Sequence, residues 1–205
     1  MIKVHHLNNS RSQRVLWLLE EIGLDYEIVP YRRDPKTLLA PASLKNIHPL
    51  GKSPVIDDQG RIMAETGAIV DYLVTRYGPG LAPAPGSELH WRYITWLHYA
   101  EGSVMPPLLL KLVLTKMGPL GWPALGFVNR QIALHLDFLE SQLAASDWFT
   151  SDAFSAADIM LSFALEVGRA RGGLGARPRL EDFLQRAQQR PGYRRALDRG
   201  GRYDF

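Results

Sequence analysis

The amino-acid sequence predicts an α/β domain with the element order βαβ-ββα, followed by an all-α domain. Two observations carry this prediction: strand-like and helix-like patterns alternate before residue 80, and no strand pattern occurs after residue 90. Residues 77–91 contain three prolines and three glycines, which neither a helix nor a central strand accommodates. We therefore expect a first domain over residues 1–79, a linker over 80–89 and a helical domain over 90–205.

A βαβ unit opens the chain. The run IKVHHL predicts a short strand, and YEIVPY predicts a second one. Between them, RVLWLLEEIG carries apolar side chains at helical spacing and ends at Gly23, a common helix stop. A unit of this length favours two parallel strands joined by a right-handed crossover.

A hairpin and a helix complete the first domain. The segments SPVIDD and RIMAE flank a turn at residues 58–60, which predicts two antiparallel strands. The segment ETGAIVDYLVTRY predicts the helix that follows.

The second domain shows only helical patterns. The segments ELHWRYITWLHYAEGS, ALGFVNRQIALHLDFLESQLA, SAADIMLSFALEVGRA and LEDFLQRAQQ are amphipathic or largely apolar. Pro106 and Pro107 are expected to break or kink the chain after the first of these helices. Ser155 and Asp158 form a capping-box variant, with Asp in place of Glu, whose expected role is folding.

The composition is that of a soluble globular protein, with 46% hydrophobic and 22% charged residues in 205. No apolar run approaches the ~20 residues that span a bilayer, and no signal-peptide pattern follows Met1. These features predict a cytoplasmic protein without a membrane partner.

The chain contains no cysteine, which excludes disulfides, thiolate metal sites and a protein-thiol nucleophile. His5 and His6 alternate on a strand and lack a third ligand at any recognisable spacing, so we expect no metal.

The net charge of +3 hides a basic C-terminal region, with ten arginines against three acidic residues between positions 169 and 202. Such a region can attract nucleic acid, or it can form a solvated face or pair with acidic helices of the same chain. No aromatic residues are interleaved for base stacking, so we favour the second interpretation and expect no nucleic-acid partner.

Three stretches together carry a family resemblance. SRSQRVLWLLEEIGLDYE, NIHPLGKSPVIDDQGRIMAETGAIVDYL and FSAADIMLSFAL resemble parts of the serine-type cytosolic glutathione transferases, and the likeness covers essentially the whole chain. WLHYAEGSVMPPLL is similar to bacterial and fungal members related to yeast glutathione transferase 1. The resemblance implies a thioredoxin-like first domain, glutathione as co-substrate, a homodimer and a role in detoxification.

The resemblance assigns a glutathione-binding role to the segment around Ser53. It implies a cis peptide bond before Pro54 and a backbone contact from Val55 to the cysteinyl unit, as strand addition to a sheet edge. Lys52 would pair with the glycyl carboxylate. The alternatives are an ordinary edge-strand proline and a solvated lysine.

The same resemblance assigns the γ-glutamyl end of the peptide to Glu65 and Thr66. The carboxylate would meet the hydroxyl and N–H of Thr66 at a helix N-terminus, and Glu65 would pair with the ammonium group. Most family members carry Ser where this chain has Thr66. The alternative is that Thr66 only caps the helix.

Ser10 is the candidate thiol-activating residue. A hydroxyl that donates to sulfur, near a helix N-terminus, stabilises the thiolate of glutathione, whose thiol otherwise ionises near pH ~8.5. Arg11 and Ser12 are expected as supporting donors, and Asn9 is the rival for the position next to sulfur. The alternative is that Ser10 or Ser12 is a simple helix cap.

The second substrate is expected to be a hydrophobic electrophile or a peroxide, bound against the first helix of the second domain. Trp96, Tyr99, Glu101 and Met105 are the candidates because an apolar electrophile needs an apolar wall. The alternative is that most of them fill the helical core.

Two classes of function follow. The first is a glutathione transferase, with glutathione-dependent peroxide reduction or disulfide exchange as related activities. The second is a non-catalytic glutathione-binding or scaffold protein with the same fold. The intact pairs Pro54–Val55 and Glu65–Thr66 favour the enzyme.

Overall fold

The computed structural model describes residues 1–202, which form two compact units. The first unit contains residues 1–81 together with the C-terminal segment from residue 188, and the second contains residues 82–187. The sequence analysis placed the whole of 90–205 in the helical domain. In the structure, the last helix belongs to the first unit instead, where it packs on the first helix of the chain.

The first unit is built on a four-stranded sheet in the order β2-β1-β3-β4. β1 and β2 are parallel, whereas β1 and β3, and β3 and β4, are antiparallel. This arrangement confirms the predicted βαβ unit and hairpin. The strands are β1 (Ile2–Leu7), β2 (Tyr26–Tyr31), β3 (Val55–Asp58) and β4 (Arg61–Ala64).

Three helices accompany this sheet. α1 (Ser12–Ile22) ends at Gly23, whose φ of 75° is left-handed, as the sequence predicted. α2 (Thr66–Tyr77) follows β4 directly. α8 (Pro191–Gly200), which the sequence analysis did not assign, closes the described chain. Short 3-10 turns lie at Ala42–Asn46 and Pro79–Leu81.

Ion pairs connect α8 with α1. Arg190 donates two hydrogen bonds to the carboxylate of Glu21, at 2.9 and 2.8 Å, and Arg195 and Arg199 both donate to Glu20. Burial would raise the pKa of Glu20, but hydrogen bonds from Arg195, Tyr26 and Arg199 outweigh it and hold the pKa below its usual value. The stabilisation from this pairing is therefore present near neutral pH and lost as the pH falls through the acid range.

Gly200 lets the end of α8 approach β1 and α1 closely. A Cβ at this position would lie against the side chain of Leu16, 2.8 Å from Gln13 Oε1 and 3.4 Å from His6 Cε1. The glycine therefore permits the backbone contact with His6 described below.

The second unit consists of helices, and no strand occurs between residues 82 and 187. A π-helical turn at Ala100–Val104 connects α3 to α4, and the two prolines that follow Met105 lie in the first turn of α4, where proline is tolerated. The two prolines that were expected to break or kink the chain after the first helix therefore lie at the start of a further helix. The helices are α3 (Glu88–Tyr99), α4 (Met105–Lys116), α5 (Trp122–Gln142), α6 (Ala156–Ala170) and α7 (Pro178–Gln189), with a 3-10 turn at Gly118–Leu120.

The predicted capping box is present at the start of α6. Asp158 accepts hydrogen bonds from the backbone N–H and the hydroxyl of Ser155, at 2.8 and 2.9 Å, and from the backbone N–H of Phe149 at 2.9 Å. Its side chain is fully buried. One carboxylate thus fixes both the helix start and the preceding loop.

Most of the C-terminal arginines pair with acidic side chains of the same chain. At least seven of the ten between residues 169 and 202 lie within 4.0 Å of a carboxylate oxygen. Of the two interpretations left open for these arginines, a solvated face and intramolecular pairing, the structure shows the second for these residues. The seven are Arg169, Arg177, Arg179, Arg186, Arg190, Arg195 and Arg199.

Candidate active site

The turn between β1 and α1 is hydrogen-bonded to the chain that follows β2. The guanidinium of Arg33 donates to the carbonyl oxygens of Asn8 and Asn9, and Asn8 Oδ1 accepts the backbone N–H of Arg33 at 2.9 Å. Asn9 has a left-handed φ of 50°, a conformation that asparagine tolerates well. Burial, and next the charge of Arg11, lower the pKa of Arg33. The turn that presents Ser10 therefore carries two neighbouring positive charges.

A chain of hydrogen bonds runs inward from Ser10. Ser10 Oγ lies 2.7 Å from Ser12 Oγ, which lies 2.8 Å from His6 Nδ1 and 3.3 Å from the carbonyl oxygen of Leu7. On the other side of the ring, His6 Nε2 lies 2.9 Å from the carbonyl oxygen of Gly200. Two hydroxyls and an imidazole thus connect the start of α1 with the end of α8.

Ser10 and Ser12 differ in access to solvent. Ser10 is 7% exposed and Ser12 is 0% exposed, so only the first can touch a ligand. Ser10 Oγ also accepts the backbone N–H of Ser12 at 3.2 Å. The capping role and the predicted catalytic role are therefore compatible in one side chain.

The loop before β3 ends beside this turn. The Ser53–Pro54 peptide bond is cis, as expected, and the Ser53 hydroxyl donates to the carbonyl oxygen of His5 at 3.0 Å. In the sheet, Val55 is the partner of His5 on one side and of Ala64 on the other. The segments around Ser10, Ser53 and Glu65 consequently meet at one end of the sheet.

The start of α2 has unpaired donors. Glu65 precedes the helix with a left-handed φ of 70°, an unfavourable conformation for a non-glycine residue, and no side chain caps the first turn. Thr66 is the first helical residue, so the alternative that it caps this helix is wrong. Free backbone N–H groups at a helix N-terminus are a common binding site for an anion.

Comparison with known proteins identifies the family. The model of the glutathione S-transferase N-terminal domain matches residues 1–75, and that of the C-terminal domain matches residues 127–191. Glutathione S-transferase 1 of Saccharomyces cerevisiae is 34% identical to this chain over 83% of its length and 82% of the yeast protein. The chain belongs to the glutathione S-transferase family.

Solved glutathione S-transferases share the fold. One from Actinobacillus pleuropneumoniae superposes with a TM-score of 0.89 at 33% identity, covering 99% of this chain and 94% of the other. A sphingomonad glutathione S-transferase, solved in complex with glutathione, gives a TM-score of 0.81 at 26% identity over 97% and 98% of the two chains. The predicted thioredoxin-like domain followed by a helical domain is thereby confirmed.

One expectation about the glutathione S-transferase site needs correction. Val55 was expected at a sheet edge, but β3 lies between β1 and β4. Val55 is fully buried, with strand partners on both sides, so a peptide cannot add as an edge strand there. Ser53, by contrast, precedes the strand and is half-buried. Its backbone is better placed for a main-chain contact.

Lys52 is exposed beside this loop. It makes no ion pair with any residue from 1 to 202, so its ammonium group is available to a ligand carboxylate.

The residues proposed to contact the electrophile mostly pack within the helical unit. Trp96 and Met105 are 3% and 4% exposed, and the Trp96 ring packs against Phe138 and Phe149. The core-packing alternative thus describes both residues better than a substrate wall does.

Tyr99 and Glu101 are half-buried. The Tyr99 hydroxyl lies 2.6 Å from His135 Nδ1. Burial raises the pKa of Tyr99 and lowers that of His135, which favours the neutral form of both groups. The Tyr99 hydroxyl therefore donates a hydrogen bond to the neutral imidazole.

His6 was not among the site residues predicted from the sequence. Its signal was weak because a histidine on a strand, six positions before a serine, matches no catalytic motif with fixed spacing. The contact that fixes the ring comes from Gly200, which lies 194 positions away in the sequence.

Within residues 1–202, no group of three or more His, Cys, Asp or Glu side chains is arranged to hold a metal ion. In the same part of the chain, each helix is too short or too polar to span a lipid bilayer.

Proposed function

We propose that this glutathione S-transferase activates the thiol of glutathione at Ser10 and transfers the peptide to a hydrophobic electrophile. The non-catalytic alternative is not favoured. The observation that carries the assignment is the position of Ser10, which precedes α1 at the end of the sheet where the Ser53–Pro54 loop meets β1 and which is 7% exposed. Arg11 and Arg33 add positive charge there, which favours an anionic sulfur.

The rest of the peptide finds complementary groups on the same unit. The unpaired N–H groups and the hydroxyl of Thr66 suit the γ-glutamyl carboxylate, and exposed Glu65 suits the ammonium group. Lys52 suits the glycyl carboxylate, and the backbone near Ser53 suits the cysteinyl unit. One peptide with opposite charges at its γ-glutamyl end thus matches the pattern of donors and acceptors.

Thr66→Val should weaken glutathione binding by about tenfold or more and change kcat by less than about threefold. The variant keeps the shape of the side chain but removes a hydrogen bond to a charged group, which is worth about 1.5–3 kcal/mol. Calorimetric titration and initial rates measure the two quantities. Thr66→Ser is the matched control and should bind as the wild type does. If the valine variant binds glutathione as tightly as the wild type does, Thr66 does not hydrogen-bond to the peptide.

The proposed chemistry has a direct test. Glutathione added to the protein at neutral pH should give the ultraviolet absorbance of a thiolate, and an aryl halide should be conjugated at a rate proportional to enzyme concentration. S-methylglutathione should compete with glutathione but give no thiolate signal. Absence of binding at millimolar glutathione would overturn the proposal.

Electrophile chemistry is the main activity we infer. A peroxide can take the place of the electrophile because the same thiolate attacks it, and disulfide exchange can proceed through glutathione alone, which suits a protein without cysteine. Tyr99 and Glu101 remain the candidates to contact the electrophile, whereas Trp96 and Met105 belong to the core of the helical unit. The proposal includes a detoxifying role and a cytoplasmic location.

A homodimer is part of the proposal. α4, α5 and the turn between them carry large apolar side chains that are exposed, and exposed apolar patches often mark a protein–protein interface. Leu109, Leu110, Val113, Met117, Leu120, Trp122, Phe127, Leu134 and Phe138 are each at least 43% exposed.

Light scattering at micromolar concentration should therefore give twice the mass of the chain. Leu134→Lys should raise the dissociation constant of the dimer at least tenfold because it places a charge in an apolar contact. A monomeric wild-type protein would contradict the dimer.

A further inference from the structure

We propose that His6 is the acceptor of the proton that bound glutathione gives up, with Ser12 and Ser10 as the two carriers. The proposal rests on the proposed function, because it takes Ser10 as the hydroxyl next to the sulfur. It assigns His6, Ser12 and Gly200 a role beyond packing: they set which way the Ser10 hydroxyl points.

Hydrogen-bond geometry fixes the neutral state of the network. A carbonyl oxygen only accepts, so His6 Nε2, 2.9 Å from Gly200 O, must carry a proton. In a neutral ring, Nδ1 is then an acceptor, and Ser12 donates to it at 2.8 Å. The Ser12 oxygen is left to accept from Ser10 at 2.7 Å. With His6 neutral, the Ser10 proton therefore points inward, away from any sulfur.

The cationic state reverses the two bonds that join His6 Nδ1, Ser12 and Ser10, and it leaves the bond from Nε2 to Gly200 unchanged. A protonated ring donates from Nδ1 to Ser12, Ser12 donates to Ser10, and Ser10 is free to donate outward. The lone pairs of Ser10 are then filled by the hydroxyl of Ser12 and by the Ser12 backbone N–H at 3.2 Å. The Ser10 hydroxyl can thus stabilise a thiolate only when His6 is charged, provided that the Ser10–Ser12 contact is kept.

The proton transfer balances in three moves. The thiol S–H proton passes to Ser10 Oγ, the former Ser10 proton passes to Ser12 Oγ, and the former Ser12 proton passes to His6 Nδ1. The sulfur keeps the electron pair of the broken bond and becomes a thiolate. His6 becomes an imidazolium that still donates from Nε2 to Gly200, and both serines end as neutral hydroxyls.

The surroundings of the ring suit a neutral resting state. Burial lowers the pKa of His6, and the Gly200 carbonyl opposes this with a smaller effect. The groups that face the ring are Ser12 and Gln13 of α1 and the backbone of α8 at Gly200, none of them charged. The titratable neighbour His5 lies on the opposite face of β1 and hydrogen-bonds to Tyr31.

Two features favour the charged state once a thiolate is present. The end of α8 presents carbonyl oxygens, the negative end of the helix dipole, to the imidazolium. The thiolate adds an opposite charge at the other end of the chain of hydroxyls, and the two groups then titrate as a coupled pair.

The test measures whether the His6 ring gains a proton when glutathione binds. In protein labelled with ¹³C and ¹⁵N at histidine, the His6 ring should change from neutral to imidazolium shifts when glutathione binds at neutral pH. S-methylglutathione, which has no thiol proton, should leave the ring neutral. Calorimetry in two buffers of different ionisation enthalpy should show less proton release than the amount of thiolate measured by absorbance.

The variants supply matched controls. His6→Asn can accept from Ser12 but cannot take a proton, so the fraction of bound glutathione present as thiolate should fall at least tenfold. His5→Asn, at the neighbouring position, should leave this fraction unchanged and also assists the assignment of the ring signals. The labelled wild-type protein carries the decisive signal even if His6→Asn folds poorly.

The outcomes separate the two proposals. A thiolate that forms while His6 stays neutral, with full proton release to the buffer, would overturn the role of His6 and leave Ser10 and the transferase in place. Glutathione that binds without forming any thiolate would overturn the proposed thiol activation, and the role of His6 with it.

Discussion

Replacing Asp158 with alanine should lower the free energy of unfolding by about 3–5 kcal/mol, because each buried donor left without its acceptor costs about 1–3 kcal/mol. The carboxylate is fully buried and accepts hydrogen bonds from Ser155 N–H, Ser155 Oγ and Phe149 N–H. Alanine leaves those three donors without this acceptor, and it removes the capping box at the start of α6.

Urea unfolding followed by circular dichroism measures this loss. Asp152→Ala is the matched control because Asp152 lies in the same loop but is exposed, and it should change stability by less than about 0.5 kcal/mol. Ser155→Ala should fall between the two. Equal unfolding midpoints for wild type and Asp158→Ala would show that the box is dispensable.

Replacing Ser10 with alanine should lower kcat for conjugation by about 100-fold while KM for glutathione changes by less than about threefold. A shift of about two units in the pKa of the bound thiol corresponds to roughly 2.7 kcal/mol, within reach of a charge-assisted hydrogen bond and the local field. Ser10 contributes mainly to the ionised sulfur and little to the peptide ends, so binding should change less than turnover.

The pH dependence gives this variant a second signature. Stabilisation of the thiolate lowers the pKa of the bound thiol, so its loss should move the acid limb of the kcat profile to higher pH. Ser141→Ala, which removes an exposed hydroxyl at the end of α5, should keep activity within about twofold. Full activity in Ser10→Ala combined with an inactive Asn9→Ala would transfer the role to Asn9.

Local patterns were sufficient for much of the fold. The strands of the βαβ unit, the hairpin, the cis bond before Pro54 and the capping box at Ser155 each depend on neighbouring residues, and each is present. The start of α4 was misjudged because two prolines look like a break, although both fit the first turn of a helix.

The remaining features depend on residues distant in the sequence. Membership of α8 in the first unit rests on contacts such as Glu21 with Arg190, 169 positions apart, for which no local pattern exists. The central position of β3 depends on which strands pair on both sides, so Val55 could not be placed from its own segment. His6 could not be predicted as a site residue because the carbonyl group that fixes its ring belongs to Gly200, which is distant in the sequence.

The attachment of α8 to β1 and α1 has a consequence for biosynthesis. β1 leaves the ribosome before α8, and at about 5–20 residues per second the interval between them is about 10–40 s. During that interval Glu20, Glu21 and the His6 ring lack the partners that α8 provides. The nascent chain can fold its sheet early, but the hydrogen-bonded network behind Ser10 is complete only after translation has passed Gly200.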